Sequence, residues 1–547
     1  MINLSLAAHQ PSFELILNDL MQNNIVARIW QRDHTLWHPN PADIANRLGW
    51  LTSADDMRPH LTAINEFVRS VQNAGLTHAL LLGMGGSSLA PEVFAKSFGV
   101  HSSGLDLSVL DSTHPDAIAA AAKNLDLAST LFIVATKSGG TVETMSLFKY
   151  FYSLVSQSQG SGQAGQQFVA ITDPGSKLVD LAQEHNFRSL FLNDPNIGGR
   201  FSALSYFGLL PCALLGVDLN KLLSSSHLAM SACSPSAAPL HNPGFSLGAA
   251  LGAMASSGLD KMALLTSPKI AALSSWIEQL VAESTGKNGQ GILPVIDGSA
   301  INIESVPADC FFVHIHLADD RSHDATIRAI ENAELPLISI HLEDIYELGA
   351  QFFIWEMATA IASHVLHIHP FNQPDVEAAK ALSRQMVTNY AQTGHLPHNQ
   401  ASSPSPHRLT AFLEHLQPHS FIAIQAYLNP DAPTSAALHT LVNLLHHKYN
   451  VIVTVGYGPR YLHSTGQLHK GDRGQGFFIQ LISHPTQDIP IPIHPGKPDS
   501  EITFGILMQA QAHGDAAALA NSGRQVLSFI LGANPLKELE QLIQFLK

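Results

Sequence analysis

Glu283-Ser284-Thr285-Gly286-Lys287-Asn288 follows an apolar-periodic stretch at residues 270–282 that reads as a helix. The spacing puts a carboxylate at a helix end, beside a turn with a glycine, two hydroxyls and a lysine. A proton can be taken up and returned in such a setting. Alone, a glutamate there is ordinarily solvated. Here it has company: Gly83-Met84-Gly85-Gly86-Ser87, Thr136-Lys137-Ser138-Gly139-Gly140-Thr141, Gly198-Gly199-Arg200-Phe201-Ser202 and Pro370-Phe371-Asn372-Gln373 occur with it in one chain.

Each motif has a chemical and a plain reading. The Gly83–Ser87 stretch follows an apolar run at residues 79–82 and lets a ligand approach the backbone at a strand end, although glycine turns are common there. The Thr136–Thr141 stretch repeats that geometry one unit later. Its three hydroxyls, its lysine and the positive end of the following helix suit a phosphate monoester; a simple helix cap needs only one hydroxyl. Arg200 sits at a helix entry, where the dipole disfavours a cation, so it fits the stabilisation of developing oxyanion charge. The alternative is a structural pair with Asp194. Gln373 and Lys380 are two helical turns apart and share a face. A base near a phosphate pocket, with arginine and lysine and no metal-ligand spacing, suits proton abstraction alpha to a carbonyl.

The elements that position these residues are legible as alternation. Apolar runs at residues 79–82, 105–110, 131–135 and 168–171 alternate with helical stretches at 115–123, 143–156 and 177–185. A second series has runs at 262–266, 311–317 and 337–341, and a third at 421–427, 451–456, 477–482 and 526–531. Near-continuous apolar strands alternating with helices predict α/β architecture, with parallel sheets covered on both faces. Residues 311–342 and 477–531 echo each other weakly. Residues 156–167, rich in Gln, Gly and Ser, and residues 396–407, with three prolines, read as surface insertions, the second as a boundary.

Bulk properties narrow the class. A chain of 547 residues with 45% apolar content is expected to form two or three domains. A net charge of −15 argues against nucleic acid and requires a local positive pocket for any anionic substrate. Three scattered cysteines fit a reducing cytoplasm. The first 22 residues lack a signal-peptide pattern, and no run of 18 apolar residues predicts a membrane span.

Together these motifs, with the Asp111-Ser112-Thr113-His114 turn and the helix from Gln373 to Lys380, make residues 78–380 resemble the phosphoglucose isomerase family. The Glu-Ser-Thr-Gly-Lys and Gly466-Gln467-Leu468-His469-Lys470-Gly471 wording is similar to the isomerase half of bifunctional transaldolase/phosphoglucose isomerases; no transaldolase barrel is expected here. The resemblance implies two doubly wound sugar-isomerase (SIS-type) domains, at 51–222 and 223–395. A helical arm at 1–50 would precede them, and an α/β extension at 408–547 would complete the second lobe. It further implies a cytoplasmic homodimer without metal or organic cofactor that acts on a sugar phosphate. Its reaction would be reversible isomerisation of glucose 6-phosphate and fructose 6-phosphate through a cis-enediol. A dual phosphoglucose/phosphomannose isomerase and a non-catalytic sugar-phosphate regulator of the same fold are the alternatives.

By the same resemblance, Gly86 and Ser87 lie beside the sugar, and Thr136, Lys137, Ser138 and Thr141 hold the phosphate. Arg200 steadies the enediolate, Glu283 is the base, and Gln373 and Lys380 lie near the ring oxygen. Two departures stand out. Gly139-Gly140 replaces threonines in the phosphate loop. The ring-opening histidine, expected about thirty residues after Glu283, has only His314 there, in a strand. Ser464-Thr465-Gly466-Gln467-Leu468-His469 is the better local match, so His469 is expected in that role, ahead of His463 and His314.

Overall fold

The computed structural model describes residues 2–101, 103–396, 401–532 and 534–547. Its framework is three sheets. In the first, His78–Gly83 lies between Asp106–Leu110 and Thr130–Ala135, with Phe168–Thr172 and Ser189–Leu192 beyond, all parallel. In the second, Lys261–Thr266 lies between Leu293–Val295 and Cys310–Leu317, followed by Leu337–Leu342. In the third, Phe421–Tyr427 lies between Ile452–Tyr457 and Gly476–Ser483, with Gln525–Leu531 outermost.

All three share one winding. The first strand of each unit is central, the second flanks it on one side, and the third and fourth extend on the other. In such sheets ligands bind at the carboxyl ends, where the chain leaves in opposite directions. Every residue of Thr130–Ala135, Phe168–Thr172, Lys261–Thr266, Phe421–Tyr427 and Gly476–Ser483 is buried. That is why these segments read as continuous rather than alternating apolar runs.

The predicted strands form within a residue or two of their expected limits. The sequence echo corresponds to equivalent parallel neighbours in the second and third sheets. The C-terminal region is a sheet of its own, packed on the second through Ala263, Leu265 and Phe312 against Phe421, Ala423 and Phe478.

The N-terminal arm is not wholly helical. Before helices Gln10–Gln22 and Ile25–Trp30, strand Ile2–Ser5 pairs antiparallel with Leu337–Leu342 and closes the second sheet's edge. Residues 156–167 lie largely at the surface as expected, but as helical turns rather than an open loop: helix Val142–Gln159 runs into them, and Ala164, Gly165 and Gln167 are buried. Of the expected boundary at 396–407, residues 397–400 lie outside the described residues, and helix Pro406–Leu413 begins inside it. Cys212, Cys233 and Cys310 are buried free thiols. Among the described residues no helix is long and apolar enough to cross a membrane.

Candidate active site

Helix Leu273–Thr285 runs further than its apolar period suggests, so Glu283 lies inside its last turn. A carboxylate there faces the negative end of the helix dipole, a cost of about 0.3–1 kcal/mol unless a cation compensates. Arg200 supplies it: Nη1 lies 3.1 Å from Glu283 Oε1, with the arginine side chain 5% and the glutamate 13% exposed. The expected alternative partner, Asp194, instead accepts hydrogen bonds from Asn196. Arg200 Nε donates to Ser284 Oγ at 2.8 Å and Nη1 to Gln373 Oε1 at 3.2 Å. Its Nη2 reaches the carbonyls of Pro370 and Asn372. One guanidinium therefore ties the base, its helix and the Gln373 segment together, with several of its donors committed.

The glycines bring these parts into contact. Gly86 abuts the Gly199 backbone so closely that a Cβ at residue 86 would overlap the Gly199 carbonyl. Gly86→Ala should therefore push the turn carrying Arg200 away, destabilising the fold by about 1–3 kcal/mol and reducing kcat; urea titration and steady-state kinetics read both. Gly85 has φ +54°, and a Cβ there would lie 2.7 Å from Gln279 Nε2 and 2.9 Å from the His463 carbonyl. Gln279 Nε2 donates to Glu283 Oε2 at 3.1 Å and to the His463 carbonyl at 2.7 Å.

Thus the structure brings His463, not His469, to the Glu283 side. His463 Nε2 lies 2.9 Å from Glu143 Oε1, which also accepts from Gln511 Nε2 at 2.7 Å. Thr113 Oγ1 in turn donates to Gln511 Oε1 at 3.0 Å. Burial raises the Glu143 carboxyl, but His463 and, more weakly, Lys380 outweigh it, and the group ends below the usual range. Glu143 thus engages Nε2 of His463 and leaves Nδ1 as the ring nitrogen that the carboxylate does not take up.

His469 is enclosed instead. Its ring packs 4.9 Å from Phe478 and 5.9 Å from Tyr461, and its Nδ1 lies 3.4 Å from Gln425 Nε2. Burial, helped by Lys470 and Arg524, pushes its pKa well down. Lys470, the next residue, pairs with Asp515 at 2.5 Å. His314 stacks on His316 at 4.5 Å and meets His323 edge-on. Burial and those two neighbours bring its pKa down to about 4.

Thr136–Thr141 leads directly into helix Val142–Gln159, whose first turn carries Glu143. Thr136 Oγ1 and Thr141 Oγ1 are 2.9 Å apart, Ser138 Oγ accepts from the Gly140 amide at 3.3 Å, and Gly139 has φ +66°. The hydroxyls therefore gather at a helix N-terminus, a ready anion site. Lys137 pairs with Asp173 and donates to the Pro195 carbonyl at 3.1 Å. Its charge is thus already neutralised at one side of the loop. Lys380 pairs with the exposed Glu377 at 2.9 Å; its reach toward the site is through the Glu143 field.

Sequence reasoning passed over Glu143, Gln279 and Gln511, and gave Lys287 no role of its own. Lys287 is buried and donates to the His369 carbonyl at 2.6 Å; burial, reinforced by Arg200, pushes its pKa well down. It fixes the start of the 369–373 segment that Arg200 holds further on. Glu143 gave no distinguishing signal, because an acid in a first helical turn is ordinary.

A family model described as phosphoglucose isomerase matches residues 50–307. A glucose-6-phosphate isomerase of Mycoplasmopsis pulmonis is 32% identical over 288 residues, covering 45% of this chain and 67% of that one. The chain belongs to the phosphoglucose isomerase family. A glucose-6-phosphate isomerase of Prochlorococcus marinus strain NATL2A is 27% identical over 381 residues, covering 61% of this chain and 72% of its own. Two solved structures share the fold. A hypothetical protein from Thermus thermophilus has TM-score 0.60 and 23% identity, over 70% of this chain and 99% of that one. A glucose-6-phosphate isomerase from Chlamydia trachomatis has TM-score 0.57 and 17% identity, over 69% and 86%. The fold is the mixed α/β architecture of sugar-phosphate isomerases, and the family match covers the Gly83, Thr136, Arg200 and Glu283 motifs.

Proposed function

We propose that this protein catalyses the reversible isomerisation of glucose 6-phosphate and fructose 6-phosphate. The observation that carries this is the meeting of two acid–base centres across the Gly83–Ser87 turn. Glu283 with Arg200 lies on one side and His463 with Glu143 on the other, joined by Gln279. In this reading Thr136, Ser138 and Thr141 anchor the 6-phosphate at the helix N-terminus. His463 exchanges a proton with the ring oxygen to open the pyranose, and Glu283 removes the C2 proton. The resulting cis-enediolate keeps its charge beside Arg200, and the proton returns to C1 to give the ketose. Gly86, Ser87, Gln373 and Lys380 line the sugar's path, while Lys137 acts through Asp173. We assign the enzyme to the cytoplasm as a homodimer.

The test is a coupled assay with purified protein and EDTA. Conversion of glucose 6-phosphate supports the reading, and loss of activity restored only by a divalent metal sinks it. Mannose 6-phosphate turnover at a comparable rate would establish the dual-specificity alternative. The phosphate anchor has its own test. Ser138→Ala with Thr141→Ala removes hydroxyls that each contribute roughly 1.5–3 kcal/mol when bonded to a charged group. KM should rise at least about tenfold; an unmoved KM puts the phosphate elsewhere.

A further inference from the structure

The segment that carries His463 is gripped from its far side by charge. Arg460–His463 is a single 3-10 turn. Arg460 Nη1 donates to Asp111 Oδ2 at 2.8 Å, and its Nη2 pairs with Glu92. Glu92 lies on helix Leu89–Phe98 and Asp111 directly after strand Asp106–Leu110, so both acids belong to the first unit while Arg460 belongs to the third. Glu278, on the helix that also bears Glu283, stands on a third side. Its carboxyl is pushed up to about 7 by burial, with Arg460 and the Ser464 hydroxyl opposing. Burial alone would weaken the Arg460 guanidinium's hold on its proton; Asp111 and Glu92 more than reverse this.

Tyr461 and Leu462 of the turn are buried in the third unit, whereas its Arg460 side faces open space. It borders a cavity of about 580 Å³ whose wall includes Leu438, Val453, Tyr457, Arg460, Tyr461 and Ser464. Where contacts thin out, directional charge-assisted hydrogen bonds decide position. Glu143, meanwhile, is carried by helix Val142–Gln159 of the first unit, so its backbone does not travel with the turn; Gln511, which also donates to it, comes from helix Phe504–Asn521 of the third unit. An imidazole must be kept within hydrogen-bond reach of a fixed acceptor by something that anchors the turn to the same unit. The bridge from Arg460 to Glu92 and Asp111 does this.

We infer that Arg460 is a positioning residue for ring opening, holding the His463 turn in register with Glu143. This rests on the reading of His463 given above. A misplacement of about 1 Å is enough to cost about a hundredfold in rate. Arg460→Met should therefore lower kcat about a hundredfold with KM changed less than about threefold. Arg460→Lys should recover part of the loss, because one ion pair survives. The decisive readout is a double-mutant cycle with His463→Ala. When one residue acts through another, the second substitution adds little, so Arg460→Met should cost less than about threefold in that background.

An equal cost in both backgrounds, or undiminished kcat in Arg460→Met, overturns the inference. If Arg460→Met does not fold, Asp111→Asn enters the same cycle with the same expectation. The two failures separate cleanly. If His463→Ala keeps full kcat, the reading of His463 is wrong; if it loses kcat while Arg460→Met does not, only the positioning role is wrong.

Discussion

Glu283→Gln is expected to bind sugar phosphate within a few-fold of the parent while losing about 10²–10⁴ in kcat, the usual range for a positioned general base. The amide keeps an oxygen for Arg200, so the 3.1 Å contact survives as a neutral hydrogen bond and the Gln373 segment stays tethered. What disappears is the lone acceptor for the C2 proton. Isothermal titration with fructose 6-phosphate and a coupled rate assay on one sample separate the two effects. The non-catalytic regulator predicts the opposite pattern: no turnover in the parent and nothing lost in the variant. Equal turnover in parent and variant would remove Glu283 from the chemistry.

The second large effect distinguishes two histidines six residues apart. His463→Ala should cut turnover of cyclic glucose 6-phosphate by about 10²-fold or more, while sparing C2 proton exchange on substrate presented in the open-chain form. His469→Ala should act on stability instead. Its ring fills a pocket against Phe478 and Tyr461, and deleting it should cost about 1–3 kcal/mol of folding free energy, with kcat per folded molecule near the parent's. Urea titration and kinetics on both variants decide the matter. The reverse pattern, with catalysis lost in His469→Ala and stability in His463→Ala, would restore His469 to the ring-opening role.

Why the sequence favoured His469 is instructive. The Ser464–His469 wording is a strong local match, yet a local match carries no information on which side of a short helix faces the crevice. His463 closes the 3-10 turn and His469 lies on the following helix, Gly466–Gly471, facing the third sheet. Their assignment depended on Glu143, 320 residues earlier, and no pattern within one segment encodes such a pairing. Glu283 was legible because an acid near a helix end breaks a local rule; Arg200 drew notice as a cation at a helix entry, although the helix begins only at Tyr206 and Arg200 lies in the 3-10 turn Gly199–Phe201 before it. Glu143 obeys its local rule and was passed over. Central strands were legible from unbroken apolar runs. The edge strands Ile2–Ser5 and Ser189–Leu192 were not, because half of their residues or more are only partly buried and they are four residues long.

One of those edge strands has a consequence for synthesis. Ile2–Ser5 is made more than 330 residues before the strand it pairs with, Leu337–Leu342. At about 5–20 residues per second, its partner leaves the ribosome roughly 20–70 s later. For that interval the N-terminal strand has nowhere to dock, and the second sheet cannot be edged until its fourth parallel strand is in place. Once there, the strand fastens the two ends of a loop spanning more than half the chain, so the arm acts as a late clasp rather than a nucleus. Deleting residues 2–5 should therefore leave early collapse unchanged and show itself in the final product, as an uncovered sheet edge prone to pairing with another copy.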